Sequence, residues 1–258
     1  VVKGHRNGHG AGTDADAVPR QGAQIAQGIR GGNGQHIDST ARRPEFFQVA
    51  ALTHLHADHA TDLPALLKSG YFSRRTRALP IAGPTAGRAY PDLDGYLQGL
   101  LAPENGAFRY LAGYLDGSDG LVALEPRTLD AAGREPIPVH ETDAYRVSAI
   151  GVTHGPVPAL AYRVDIGEQR IVFSGDMNGD DPWFVDFARG ADLLIMDHAV
   201  PEDAGPVATR LHALPSEIAA IAKEADIGHL VLSHLMRRSE RALDESLARI
   251  RRVYAGPV

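Results

Sequence analysis

Apolar positions along the second half of the chain follow two rhythms. Tyr145, Val147 and Ala149 alternate with Arg146, Ser148 and Ile150, the two-residue period of a strand, and the run ends at Thr153-His154. Residues 160–166 and 170–173 read as a hairpin around Gly167-Glu168, and its second arm runs into Ser174-Gly175-Asp176. Residues 193–196 form a short apolar strand ending at Asp197-His198, and residues 230–232 form another ending at Ser233-His234. Between these runs the spacing becomes helical. Residues 182–189 predict a short helix. Ile218, Ile221, Ala222 and Ala225 make a stripe after Pro215, a good first-turn residue. Leu243, Leu247, Ile250 and Tyr254 mark a last helix, stopped by Gly256-Pro257.

Upstream, residues 46–53 predict a buried strand and residues 63–71 a helix that tolerates Pro64 in its first turn. Residues 1–45 are rich in Gly, Asn, Arg and Gln, with turns at 8–12 and 31–34 and little periodicity. Residues 72–138 carry many Pro and Gly and only short apolar runs. They read as an irregular insertion of loops and short helices in a single domain spanning 1–258. Tyr71, Phe72, Tyr90, Tyr96, Phe108, Tyr110 and Tyr114 lie in or beside it, either as core anchors or as the lining of a substrate pocket.

The pattern of strands alternating with helices predicts an α/β fold, and 258 residues are enough for a substantial core. With no cysteine in the chain, disulfides and thiolate metal sites are excluded. No apolar run approaches the about 18 residues of a membrane span, so no membrane partner is expected. A net charge of −6 shows no basic footprint, and nucleic acid is not expected as a partner. The chain starts Val1-Val2-Lys3, so a soluble protein of the cytoplasm, or of the periplasm after removal of a signal peptide, fits equally.

The twelve histidines change the picture. Several stand at strand ends, where site-bearing loops begin in layered α/β folds. The densest group is His54-Leu55-His56-Ala57-Asp58-His59. In an extended segment side chains alternate faces, so His54 and His56 point the same way and can grip one ion. Asp58 and His59 follow as the chain turns into the helix, and they face a second position nearby. Imidazole nitrogen and carboxylate oxygen are the donors zinc prefers when thiolate is missing. A solvated polar loop is the plain alternative. The strand ends at His154, Asp176 and His234 weigh against it, because each can supply a further ligand. Taken singly, His154 also reads as a strand-end histidine bonded to a carbonyl, Asp176 as a turn or helix cap, and His234 as a cap.

The hexapeptide resembles the signature of the metallo-β-lactamase superfamily, whose fold is an αββα sandwich. The resemblance continues through Gly151-Val152-Thr153-His154, Phe173-Ser174-Gly175-Asp176 and Leu232-Ser233-His234, and covers roughly residues 48–254. It implies two zinc ions per chain. His54, His56 and His154 would hold the first, Asp58, His59 and His234 the second, and Asp176 would bridge both. Asp58 and His212 are then the candidate catalytic residues. His212, just ahead of Pro215-Ser216-Glu217-Ile218, resembles the extra histidine of the phosphodiesterase branch, which includes transfer-RNA 3′-processing enzymes. That residue acts as general acid or oxyanion donor. Ala213 and Leu214 stand where this branch often has small hydroxyl residues. Asp197 falls near an acidic position of the branch and could orient a ligand histidine. The Gly-Thr-Gly-like and Asp-x-Gly turns that usually open the family are not found in residues 1–47.

The implied chemistry is hydrolysis by a metal-bridging hydroxide, which is nucleophilic at neutral pH. True β-lactamases of the fold lack the bridging aspartate, and two of their classes use a cysteine ligand. A clamp arm for transfer RNA would fall between His154 and Asp176, which are too close to hold one. A small-molecule substrate is therefore expected. A phosphodiester or cyclic phosphodiester fits His212; the alternatives are a lactone or a chlorinated aromatic of the chlorothalonil type, which Trp183 would suit. A metal-binding module without catalysis is the reading from another class. A homodimer is expected, by analogy with this branch and because one chain is not expected to cover the aromatic insertion fully.

Overall fold

The computed structural model describes residues 47–258. His5, His9, His36 and the turns expected before residue 45 lie outside the described residues. β1 (Ala50–Ala51) leads into α1 (Ala57–Ala60) and α2 (Leu63–Gly70). Next come β2 (Leu79–Pro84), α3 (Leu93–Leu101), α4 (Gly113–Asp116) and β3 (Leu124–Leu129). The second half runs β4 (Ile137–Glu141), β5 (Arg146–His154), β6 (Val157–Ile166), β7 (Gln169–Phe173), α5 (Pro182–Ala188) and β8 (Leu193–Asp197). It closes with α6 (Pro206–Thr209), α7 (Pro215–Glu224), β9 (Leu230–Ser233), α8 (Arg237–Arg241) and α9 (Leu243–Arg251).

Among the described residues there are two sheets. One has the order β1-β2-β3 and is parallel; the other has the order β4-β5-β6-β7-β8-β9. In the second sheet β4 to β7 pair antiparallel, and β7-β8-β9 pair parallel. Three apolar clusters show how the layers stack. Leu63 and Leu67 of α2 and Leu93, Leu97 and Leu101 of α3 pack on Leu79 and Ile81 of β2. Ala82 and Leu129 of the first sheet meet Val147, Ala149, Leu160, Tyr162 and Val164 of the second. The other face of the second sheet carries Phe184, Ile218, Ile221 and Ile250 from α5, α7 and α9. The order is helix, sheet, sheet, helix. β5 and β6 lie between two clusters and bury both faces. Each large side chain buried this fully contributes about 1.5–3 kcal/mol.

The helices begin where local chemistry lets them. Asp92 caps α3 by accepting from the Gly95 amide at 2.8 Å. Pro215 opens α7, and Glu217 reaches back to the Leu214 amide at 2.6 Å.

The stretch 72–138 is more regular than its sequence predicts, because it contains β2 and β3. Pro80, Gly83 and Pro84 hid β2. The amides of Leu79 and Thr85 bond to Ala123 and Leu129 on the β3 side. Alternation turns Pro80 and Pro84 toward β1, whose described ladder is two residues long. No ladder donor is lost there, so the prolines are tolerated. Among the described residues no helix is long and apolar enough to cross a membrane.

Candidate metal centre

β5, β7, β8 and β9 run in the same direction, so their C-terminal ends share one edge of the sheet. His154, Asp176, Asp197 and His234 follow from those ends, and the segment 54–59 arrives from β1. The structure thereby brings together all eight residues singled out above: His54, His56, Asp58, His59, His154, Asp176, His212 and His234. Three groups have ligand atoms within 4.8 Å of one another: His54, His56, His154 and Asp176; Asp58, His59 and His234; and Asp176, His212 and His234.

The distances suit metal ions. His56 Nδ1 lies 3.1 Å from His54 Nε2 and 3.3 Å from His154 Nε2. Ligands placed tetrahedrally around zinc at its usual nitrogen distance stand about 3.3 Å apart. Asp176 Oδ2 is 3.9 Å from His54 Nε2 and 3.8 Å from His154 Nε2. The same oxygen is 3.5 Å from His59 Nε2 and 3.6 Å from His234 Nε2, so it faces both groups. Asp58 Oδ2 completes the second group, 3.3 Å from His234 Nε2 and 3.6 Å from His59 Nε2. His59 Nε2 is buried without a hydrogen-bond partner. A buried imidazole nitrogen without a partner, set among further imidazoles and two carboxylates, is what a cation would complete.

Electrostatics point the same way. Burial and the neighbouring His59 drive the pKa of His54 down to about 2. Burial takes His154 down to about 4, although Asp176 pulls upward. His56 is lowered by burial as well. These rings are neutral at pH 7, with lone pairs free for a metal. For His59, burial lowers the pKa, but the Asp176 carboxylate more than reverses it. Burial would raise Asp176, but attraction from His59, 3.5 Å away, with His234 and His54, holds it well below the usual carboxylate range. Burial would raise Asp58 too, yet His59 and His234 keep it low.

The backbone around these groups is specialised. Gly175 has φ +62°, and a Cβ there would meet Leu160 O at 2.9 Å and Thr53 Cβ at 3.0 Å, so only glycine lets the chain turn Asp176 inward. His234 itself has φ +54°, an uncommon conformation for a side chain of this size. Behind His154, Asp181 accepts from the Thr153 amide at 2.6 Å and from Thr153 Oγ1 at 2.7 Å. This buried carboxylate ties the start of α5 to the end of β5.

His212 stands beside the two groups. Its Nδ1 is 2.9 Å from Asp197 Oδ2 and 3.9 Å from Asp176 Oδ2. Burial raises Asp197 well above the ordinary carboxyl value, and Asp176 adds to the rise. Burial lowers His212. Asp197 thus touches His212, not one of the ligand histidines it was expected to orient.

Other residues separate from the site. Trp183 donates from Nε1 to Gly151 O at 2.8 Å and packs on the core, so it is an anchor and not a pocket wall. His198 is fully buried, and neither ring nitrogen has a hydrogen-bond partner. Among the aromatics of the insertion, Tyr96 and Tyr114 bond to Ala60 O and Leu67 O as anchors. Tyr90 instead reaches the cluster, with Oη 3.1 Å from His56 Nε2. Asp181 and the Tyr90 contact were not legible in the sequence, since neither residue falls in a motif or at a strand end.

These features define a metal-dependent hydrolase of the metallo-β-lactamase fold. A family model described as the beta-lactamase superfamily domain matches residues 16–235, and the chain belongs to that family. Its curated relatives include Ribonuclease Z of Metallosphaera sedula, 28% identical, with 80% of this chain and 76% of the relative covered. Ribonuclease Z of Prochlorococcus marinus is 27% identical, with 72% and 69% covered. Among solved structures, the metallo-beta-lactamase fold protein YhfI from Bacillus subtilis superimposes with a TM-score of 0.59 at 22% identity, covering 83% of this chain and 75% of its own. The short form of human tRNase Z gives 0.57 at 21%, covering 76% and 75%. The relatives named Ribonuclease Z overturn the expectation that nucleic acid is not a partner. Net charge is a sum over the whole chain, whereas RNA is held by local groups, so −6 excludes nothing. The close spacing of His154 and Asp176 rules out an arm at one place only.

Proposed function

We propose that this protein is a dinuclear zinc phosphodiesterase that hydrolyses a phosphodiester of RNA. His54, His56 and His154 would hold one ion, Asp58, His59 and His234 the other, and Asp176 both. Bound there, the metal pair supplies Lewis acidity and an activated water at neutral pH. Asp176 would offset the repulsion of two dications, and the neutral imidazoles of the first group could take up metal without losing protons. The observation that carries the phosphodiester is the His212–Asp197 pair, 2.9 Å apart beside the ligand atoms. Asp197 accepts from His212 Nδ1–H and fixes the ring. Burial keeps the ring neutral, so Nε2 first takes up the proton that the attacking water loses and then delivers it to the leaving alkoxide, which a ribose oxygen needs because it is strongly basic. The name of the relatives, Ribonuclease Z, supports RNA as the carrier of that bond.

The test is an assay of zinc-loaded protein on a transfer-RNA precursor with a 3′ extension and on bis-p-nitrophenyl phosphate. Elemental analysis is run on the same sample. About two zinc ions per chain and cleavage of both substrates are expected. One ion or fewer after reconstitution refutes the dinuclear site, and an intact precursor refutes the RNA assignment. A homodimer goes with this reading: Phe72 and Tyr110 are 84% and 57% exposed, and light scattering at micromolar concentration checks whether a second chain covers them.

A further inference from the structure

Each histidine of the first group has two ring nitrogens, and one of them faces away from the cluster. His54 presents Nε2 and places Nδ1 3.1 Å from Thr53 Oγ1. His154 presents Nε2 and donates through Nδ1 to Leu211 O at 2.7 Å. His56 is reversed. Its Nδ1 faces His54 and His154, and its Nε2 faces Tyr90 Oη at 3.1 Å. A neutral ring that offers a lone pair on Nδ1 carries its proton on Nε2, and that proton needs an acceptor. Thr53 precedes His54 in the chain, and Leu211 precedes His212. Tyr90 has no such link, for it comes from the turn after β2, which carries none of the predicted ligands.

We propose that Tyr90 is a positioning residue for the first metal position. Its Oη accepts from His56 Nε2–H, which selects the tautomer with a free Nδ1 and sets the tilt of the ring. The two rings meet edge to face, with centroids 5.6 Å apart and planes at 65°, so the contact also limits rotation of His56. The tyrosine is itself held. Gly87 and Tyr90 exchange backbone hydrogen bonds of 3.0 and 3.3 Å, closing a tight turn. A Cβ at Gly87 would lie 2.6 Å from Pro158 Cγ, so the turn lies directly against β6. Pro158 pairs with Thr153, next to His154. One contact therefore ties the hydroxyl that orients His56 to the strand pair that delivers His154.

This assignment rests on the metal-site reading above, and one experiment separates the two. Zinc affinity is measured by competition with a chromogenic chelator for the wild-type protein, Tyr90→Phe and Gly87→Ala. The visible spectrum of each cobalt-substituted protein and each melting temperature are recorded alongside. Tyr90→Phe removes one oxygen and keeps the ring, so the melting temperature of the metal-free protein should not move. Affinity at one of the two positions should fall by about 10- to 100-fold, the usual loss when a ligand's outer partner is removed. The cobalt bands of that position should shift and those of the other should not. Gly87→Ala keeps the hydroxyl but displaces the turn, and should show the same selective loss. A wild-type protein that binds two ions and a Tyr90→Phe protein within about two-fold of it, with unchanged cobalt bands, overturns the role of Tyr90 alone. A wild-type protein that takes up no metal overturns the metal site and this assignment with it.

Discussion

Replacing His212 by alanine separates proton delivery from metal binding. The ring is buried, 6% exposed, and its Nδ1 is committed to Asp197 at 2.9 Å. If it acts as general acid, His212→Ala should lower kcat by about 10²- to 10⁴-fold, or about 2.7–5.5 kcal/mol of barrier. The fold should survive. The mutation leaves Asp197 without its partner, but burial already raises the pKa of that carboxyl, so it can take up a proton and become neutral. The cost is then that of an unsatisfied neutral group, about 1–3 kcal/mol. Zinc content should stay at the wild-type level, because the six other residues and Asp176 remain. The decisive assay is kcat across a series of aryl phosphodiesters of rising leaving-group pKa, with zinc measured on each preparation. Nitrophenolate leaves readily without a proton, so its esters should lose least, and the deficit should grow with leaving-group basicity. Asp176, His212 and His234 also lie close enough to hold an ion themselves. Loss of zinc in His212→Ala would make His212 a ligand, and a deficit that stays flat across the series would refute proton donation.

Other substitutions probe the remaining links. Asp176→Ala should abolish turnover and weaken one metal position more than the other, since it removes the oxygen that faces both groups; activity within a few fold of wild type would make Asp176 a turn residue only. Asp181→Ala breaks two short hydrogen bonds from Thr153 to a buried carboxylate and leaves the Thr153 amide unpaired, so it should destabilise by roughly 3–5 kcal/mol in urea titration; a loss under about 1 kcal/mol would show that α5 does not brace β5. Alkali should unfold the protein through its tyrosines. Burial raises the pKa of Tyr96 to about 12 and raises Tyr162 as well, and both donate to carbonyls, Ala60 O and Leu52 O. Folded values above the unfolded value of about 10 mean that this stabilisation is complete below pH 10 and drains away as pH rises past it. Absorbance at the phenolate band should show these two ionising only together with unfolding; ionisation of both in the folded state would refute it.

The elements that follow a single local rhythm were legible along the chain. The stripe after Pro215 became α7, the run to His154 became β5, and Gly167-Glu168 turned the β6–β7 hairpin, because alternation and helical spacing are properties of neighbouring residues. The strand-end histidines and aspartates could be named in advance for a related reason: a parallel strand delivers its last residues to one edge, whatever the sheet order. Strand β2 was not legible. Its prolines argue against a strand until the side facing the short β1 shows that no donor is needed there. Nor could spacing show that Trp183 bonds to Gly151 inside the core, that His198 is fully buried, or that Asp197 serves His212. Those outcomes depend on which layers meet. The pairing of Tyr90 with His56 is the clearest case. It joins residues from separate turns, and only the packing of Gly87 on Pro158 brings the hydroxyl to the ring.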